Sequence, residues 1–358
     1  MNWTEYTKLL IEKGKKAGIP ASACFELTPF CNFTCNMCYI RLSPEQAKLQ
    51  GELLTLNQWL QIAEETKRLG VIGLELTGGE AVTRSDFMLL YENLIKKGFI
   101  ITLRSNGYHL KGDLFDLLKH YKPKCLSITL YGASDETYNK VAGVKDGFTV
   151  VSQNILALRD AGIQLKLSVT ITKDNINDRE QLIKWATEND LYLSFYGGLL
   201  TPIRSAKRSI DHLKVDYKLD RYIDNNNLTP RNNIYNDKYM HPFWMCREYG
   251  VRFSISWDGR MTLCNCFPSV WTDPLNQPIK DAVKSLYEKL EKLKRPSQCA
   301  KCEYIDYCGA CPARLLSATG NPEETNNEIC EMAKINYIFS QKSILQTSAV
   351  DTNLECDL

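Results

Sequence analysis

Between residues 23 and about 200 the chain alternates short apolar runs with stretches of helical period, and no other feature narrows its fold as far. The runs Cys24–Leu27, Gly73–Thr77, Ile100–Ser105, Leu126–Tyr131, Leu165–Thr172 and Leu191–Tyr196 are strand candidates. The stretches between them carry helix ends. Thr55 and Gln58 form a capping box ahead of apolar Trp59, Leu60, Ile62, Ala63 and Leu69, and Gly70 stops that helix. Gly147 leads into Phe148, Val151, Ile155 and Leu158, with Gly162 as the stop. Strands alternating with helices build βαβ units, so a parallel sheet and an α/β class are expected. These strands are too few for an eight-stranded barrel, which leaves a partial (β/α)6 TIM-like barrel. Its functional edge is expected at the C-terminal ends of the strands.

Texture divides the chain further. Residues 1–22 read as an N-terminal helical extension and 23–202 as the barrel. Residues 203–243 form a bridging segment with little core, marked by Arg204, Lys207, Arg208 and Asp224-Asn225-Asn226-Asn227. Residues 244–335 make a small cysteine-organised domain, poor in long helices until Ile279–Leu293, and 336–358 a C-terminal tail. The 44 Lys+Arg and 42 Asp+Glu leave a net charge of +2 with no basic run, so nucleic acid is not an expected partner. No stretch approaches the ~20 apolar residues of a membrane helix. The N-terminus lacks the apolar core of a signal peptide, and a cytosolic protein is expected. In such a reducing compartment, 14 cysteines point to metal or cluster ligation rather than disulfides.

Cys31-Asn32-Phe33-Thr34-Cys35-Asn36-Met37-Cys38 follows the first strand with C-x3-C-x2-C spacing. Three thiolates on so short a loop can hold three irons of a four-iron cluster and leave the fourth open. A zinc knuckle lacking one ligand is the bland alternative. The end of the second strand, Leu76-Thr77-Gly78-Gly79-Glu80, argues against it. Two glycines allow close approach of a ligand to the backbone, and the carboxylate can receive an ammonium group.

With these residues the chain resembles the radical S-adenosylmethionine (SAM) enzymes. The resemblance implies that Cys31, Cys35 and Cys38 ligate a 4Fe-4S cluster whose open iron chelates SAM, and that a 5′-deoxyadenosyl radical takes hydrogen from substrate. It assigns Gly78, Gly79 and Glu80 to the SAM amino group, and Ser105 and Asn106 of Ser105-Asn106-Gly107 to the ribose region. Thr129, in Thr129-Leu130-Tyr131-Gly132, is a further SAM contact, with Thr170 on the fifth strand. Two departures stand out. Before the third cysteine, where the family often has an aromatic residue against the adenine, Met37 stands, with Tyr39 following Cys38. No Arg lies in Tyr138–Gly143 to hold the SAM carboxylate; Lys140 and Lys166 are the substitutes.

Cys246-x12-Gly259-x4-Cys264, then Cys299-x2-Cys302-x5-Cys308-x2-Cys311 and Cys330, resemble the SPASM extension of radical SAM peptide-modifying enzymes. That extension holds two auxiliary 4Fe-4S clusters, which makes three in all. The family's usual third interval is three residues rather than two. The alternative is a zinc ribbon on the paired C-x2-C units. Interleaved ligation, as in the family, assigns Cys299, Cys302, Cys308 and Cys330 to a distal cluster and Cys246, Cys264 and Cys311 to a proximal one. Cys266, Cys356 or an open iron that binds substrate completes the proximal set. Cys24 and Cys125, at strand starts, are expected to pack as small hydrophobes. Arg204 either faces an anionic substrate or is a solvated charge.

The two resemblances together imply a peptide maturase that forms a thioether, carbon–carbon or carbon–oxygen link, or an epimerised centre. Its partners would be a peptide or protein substrate, a separate leader-recognition protein or the barrel itself in that role, and a flavodoxin- or ferredoxin-type electron donor. A sulfatase-maturating enzyme that makes formylglycine is the runner-up, disfavoured because Asn265 stands where those enzymes carry an Asp base. A radical SAM dehydrogenase of a small alcohol and a non-catalytic zinc scaffold complete the alternatives.

Overall fold

The structure, a computed structural model, describes residues 18–204, 209–216 and 249–343, with isolated positions in 9–16 and 242–246. Most of the expected extension 1–22 and bridge 203–243 lies outside the described residues, as do Cys356 and the tail beyond 343. The expected strands are present as β1 (Ser22–Glu26), β2 (Gly73–Thr77), β3 (Ile100–Ser105), β4 (Cys125–Leu130), β5 (Leu165–Thr170) and β6 (Leu193–Tyr196). β2 and β3 keep the boundaries read from the sequence, and the ends of the other four differ by at most two residues. Two more strands follow, β7 (Arg252–Ile255) and β8 (Met261–Thr262), turned at Gly259, whose φ is +85°. The sheet order is β6-β5-β4-β3-β2-β1-β7-β8, parallel throughout except for the antiparallel β7–β8 pair. The fold is an open partial barrel of α/β class. β7 pairs directly with β1, so residues beyond 244 extend the barrel's own sheet.

Register separates two faces. Ala23 pairs Leu74, Phe25 pairs Leu76, Leu103 pairs Leu126 and Ile128 pairs Leu167, and all are buried. This apolar face lies under helices Leu56–Arg68, Phe87–Lys96 and Gly147–Asp160, which bury Trp59, Leu90 and Ile155 against it. The Phe25 and Trp59 rings are 5.0 Å apart. Both glutamine-closed capping boxes, Thr55/Gln58 and Ser43/Gln46, are formed.

Alternation by two places Cys24, Glu26, Glu75, Thr77, Arg104, Ser127, Thr129, Lys166, Ser168 and Thr170 on the opposite face. A parallel sheet covered by helices on both sides reads apolar throughout. Here the inner face is polar instead, so the barrel interior holds charge and hydrogen-bonding groups, not a second hydrophobic layer. Among the described residues no helix is long and apolar enough to cross a membrane.

Candidate functional site

The cysteine loop after β1 is clamped from two sides. Toward β2, Gly79 N–H donates to Thr28 O (2.7 Å) and Glu80 N–H to Phe30 O (2.7 Å). A Cβ on Gly79 would lie 2.2 Å from Phe30 O, and one on Gly78 would lie 2.5 Å from Thr28 O. The close approach that these glycines permit is therefore that of the chain's own loop, whereas the sequence suggested a ligand. Toward helix Asp135–Ala142, Thr34 N–H donates to Ala142 O and Asn36 N–H to Val141 O (both 2.9 Å). Gly143, at φ +72°, leaves room for Thr34 Oγ1, which would be 2.1 Å from an added Cβ.

So held, Cys31, Cys35 and Cys38 lie within electrostatic reach of one another. Burial, then the Glu80 carboxylate, pushes the Cys31 thiol up to about 12. Burial and the neighbouring Cys38 raise Cys35, while a Tyr131 hydrogen bond opposes the rise. Phe33 N–H donates to Cys31 Sγ and Arg41 N–H to Cys38 Sγ, each at 3.3 Å. Backbone donors aimed at sulfur favour the thiolate that metal binding requires.

The strand-end residues assemble beside this loop. Glu80 is buried, and its Oε2 accepts Asn106 N–H at 2.7 Å. Burial raises its carboxyl to about 7 against the hydrogen bonds from Asn106 and Ser105. Asn106 Nδ2 donates to Asn32 Oδ1 (2.8 Å) and approaches Cys31 Sγ (3.7 Å), joining β3 to the cysteine loop. Ser105 Oγ accepts Gly107 N–H at 3.0 Å. Thr129 and Thr170 are half-buried on the polar face at the ends of β4 and β5. Met37 packs into a small apolar cluster with Val141, Ile210 and Leu213. Lys140 is engaged with Asp174 (3.0 Å), which also accepts Asn36 Nδ2 (2.8 Å).

The remaining cysteines fall into two groups. In the first, the Cys266 thiol hydrogen-bonds Cys264 and raises it, burial adds to the rise, and Cys311 and Cys246 contribute as well. In the second, Cys299, Cys302, Cys308 and Cys330 line one cavity with Arg295. Burial there pushes Cys308 up to about 11, with Cys299, Cys330 and Cys302 adding to the rise. Among the described residues no three His, Cys, Asp or Glu side chains converge as they would around a single ion. The cysteines form looser groups.

Comparison with known proteins identifies the domain that carries the first cysteine loop. Residues 25–186 match the Radical SAM superfamily model. This chain contains a domain that belongs to the radical SAM superfamily, and it is an enzyme. Membership implies a 4Fe-4S cluster and S-adenosylmethionine. Among its relatives is a probable GTP 3′,8-cyclase from Pyrobaculum aerophilum, 31% identical over 169 residues, 46% of this chain and 53% of that one. The chain thus spans about half the length of that relative. The antilisterial bacteriocin subtilosin biosynthesis protein AlbA of Bacillus subtilis is 24% identical over 339 residues, 88% of this chain and 72% of AlbA. Streptococcus suis SuiB, solved with its precursor peptide SuiA, has the same fold at 17% identity, with a TM-score of 0.66 over 91% of this chain and 80% of SuiB.

The donors present suit the superfamily's cofactors. Three thiols share one loop within electrostatic reach, and the Glu80 carboxylate, buried with no cation beside it among the described residues, is suited to an ammonium group. The radical SAM domain also contains buried charge that sequence reading did not single out. Glu75 pairs with Arg104 (2.8 Å) and Arg252 (2.7 Å); burial raises its carboxyl, but the two guanidiniums outweigh that and hold it at about 2. Glu26 pairs with Arg204 at 2.5 Å, both side chains nearly inaccessible, so Arg204 is neither solvated nor unpaired. Asn32 and Tyr131 were also missed. Tyr131 lies within the Thr129–Gly132 motif, where its contact with Cys35 could have been sought. Cys24 and Cys125 are buried, but neither simply packs as a small hydrophobe: the Cys24 thiol lies 3.5 Å from Glu75 Oε1, and Cys125 is disulfide-bonded.

Proposed function

We propose that this enzyme is a radical SAM peptide maturase with two auxiliary clusters. The observation that carries the reading is the pair of cysteine groups outside the SAM-type loop, one of Cys246, Cys266 and Cys311 around Cys264 and one of four cysteines lining a single cavity. AlbA is named for subtilosin biosynthesis and SuiB was solved with a precursor peptide, which supports a peptide substrate. On this reading Cys31, Cys35 and Cys38 hold the SAM-binding cluster. Cys246, Cys264, Cys311 and Cys266 hold the proximal auxiliary cluster, and Cys299, Cys302, Cys308 and Cys330 the distal one. The barrel spans 23–202 and the cluster domain 244–335.

Held by Cys31, Cys35 and Cys38, the first cluster would supply the one-electron reductive chemistry that cleaves SAM for hydrogen abstraction from the peptide. The chain's own part is positional. Glu80, fixed by Asn106 and Ser105, receives the SAM ammonium; Asn106 sets the Cys31 side of the loop and Tyr131 the Cys35 side. Ser105, Thr129 and Thr170 present hydroxyls along the same strand edge, and Met37 flanks Cys38 on the adenine side, whereas Tyr39 faces Cys266, Glu26 and Arg104. The polar barrel interior faces the substrate. A ferredoxin- or flavodoxin-type donor supplies the electron, which suits a reducing cytoplasm.

Anaerobic reconstitution should load about twelve irons per chain for three four-iron clusters. Replacing Cys31, Cys35 and Cys38 with Ala should abolish 5′-deoxyadenosine formation and leave about eight irons. Incubation with a peptide encoded beside this chain's gene should change that peptide's mass by –2 Da per cross-link, or label it in deuterated water on epimerisation. A zinc-loaded protein without SAM cleavage sinks the reading. Oxidation of a sulfatase Cys or Ser instead would establish the formylglycine alternative, against which Asn265 argues. Its amide lies by Cys24 Sγ (3.6 Å) and provides no carboxylate base.

A further inference from the structure

Arg104 stands on the polar face of β3, a strand flanked by β2 and β4 in the middle of the sheet. Its Nε lies 2.8 Å from Glu75 Oε2, yet its side chain is 54% exposed. Arg252, which holds Glu75 Oε1 at 2.7 Å, is only 8% exposed. A cation that served only to neutralise Glu75 would be buried as Arg252 is. The other face of β3 carries Ile101 and Leu103, both buried, so the accessible part of Arg104 opens into the barrel interior. Register continues this row across the next two strands, where Ser127 pairs with Arg104 and Lys166 with Ser127. Neighbouring contacts fix where the cation sits. Along the chain, Ser105 follows directly, and then Asn106, whose N–H binds Glu80 and whose Nδ2 approaches Cys31 Sγ at 3.7 Å. Across the sheet, the Cys24 thiol lies 3.5 Å from Glu75 Oε1, and Asn265 Nδ2 lies 3.6 Å from Cys24 Sγ. Arg104 thus faces the interior between the SAM-type loop and the Cys264–Cys266 segment.

We infer that Arg104 is a specificity-determining residue that receives a carboxylate of the peptide substrate, from an Asp or Glu side chain or from the peptide's C-terminus. The inference rests on the peptide-maturase reading above. A guanidinium stays charged at any working pH, and its planar fork matches a carboxylate. Inside a barrel, away from bulk water, such a charge-assisted pair is stronger than on an open surface. The SAM carboxylate is not this partner. Glu75 pairs with Thr102, whereas Glu80 binds Asn106, four residues further along (106 – 102), which is about 13 Å at ~3.3 Å per residue. The ammonium and carboxylate groups of SAM share one α-carbon and cannot span that distance. In R104Q the pair between Arg252 and Glu75 remains, so the substitution removes the exposed charge and leaves the buried one neutralised.

The test is equilibrium retention of short peptide pools by anaerobically reconstituted full-length protein in the presence of SAM, quantified by mass spectrometry. N-acetylated, C-amidated pools carry Asp, Glu, Asn or Gln at one central position and mixed neutral residues elsewhere, and a free-acid version of the Asn pool presents only a terminal carboxylate. Wild type should retain a carboxylate-bearing pool about tenfold over its amide counterpart. Preference for the Asp and Glu pools identifies a side chain as the source, and preference for the free-acid pool identifies the terminus. In R104Q that preference should vanish with iron content and SAM affinity unchanged. Wild type that retains acid and amide pools equally overturns the inference and leaves the peptide reading standing, whether or not R104Q folds. R104Q with full iron and an intact preference overturns it too. So does R104Q that loses SAM affinity and keeps the preference, because the guanidinium then serves SAM. Iron-loaded wild type that cleaves SAM and retains none of the pools removes the peptide reading and the inference together.

Discussion

Glu26 shows what a single residue does in this interior. It ends β1 on the polar face, it is inaccessible, and Oε1 binds Arg204 while Oε2 has no hydrogen-bond partner among the described residues. Burial raises its carboxyl to about 7 despite Arg204, and the nearby Asp258 carboxylate adds to the rise. A carboxyl whose folded value exceeds its unfolded value binds more protons when folded, so its contribution to stability falls as pH rises. The window runs from about 4.5 to about 7. E26Q, which cannot ionise, should match wild type near pH 5 and exceed it by about 2–3 kcal/mol at pH 8, since each tenfold change in proton affinity is worth about 1.4 kcal/mol. Denaturant titration of cluster-free protein at the two pH values checks this; a difference that does not change with pH would sink it. The grouping of the cysteines was legible because thiol spacing is itself the signal. Glu26 was not, because its burial depends on pairing with Thr77 and on Arg204, 178 residues away.

At the scale of elements, the strand–helix alternation, both strand-framed helices and the C-terminal edge were readable from periodicity. β7 and β8 were not. Arg252–Ile255 is fully buried and only four residues long, too short for periodicity to separate strand from loop. What holds β7 is also non-local: Arg252 reaches across β1 to Glu75 of β2. Breaking a buried ion pair costs about 3–5 kcal/mol. Because Arg104 still faces Glu75, R252M should lose about 2–4 kcal/mol, measured by urea unfolding. The β2 end is tighter still. In G79A the new methyl meets the Phe30 carbonyl, a backbone atom that cannot swing aside. Overpacking of this kind costs about 1–3 kcal/mol or more. The loop that carries Cys31 should shift, and G79A should lose the SAM-responsive iron while keeping auxiliary iron. Retention of both, with stability unchanged, would show that the loop has room.

At the scale of the molecule, the cysteines divide stability as well as chemistry. The main core runs without interruption from the barrel through Phe253, Ile255 and Met261 to Ala282 and Leu286 of helix Ile279–Leu290. That helix is also tied to the barrel by Ile279 N–H, which donates to Glu65 Oε2 at 2.9 Å. Beyond it lies a separate small core of Ile305, Cys308, Leu315, Ile329 and Ala333, which includes one distal cysteine and adjoins the others. So few apolar side chains cannot offset the ordering entropy of some fifty residues, on the order of 1–2 kcal/mol each. On the auxiliary-cluster reading, ligation of four thiols supplies what is missing, because metal-binding energy is folding energy for such segments. Removing the metal should therefore loosen the chain unevenly. In anaerobic hydrogen exchange read by mass spectrometry, chelator-treated protein should lose protection across 295–343. Protection should persist in 252–256, 279–290 and the barrel strands, where exchange requires opening the main core. Equal loosening of barrel and C-terminal segments would mean that the clusters support one cooperative unit, and that the second core has no independence for the distal cysteines to confer.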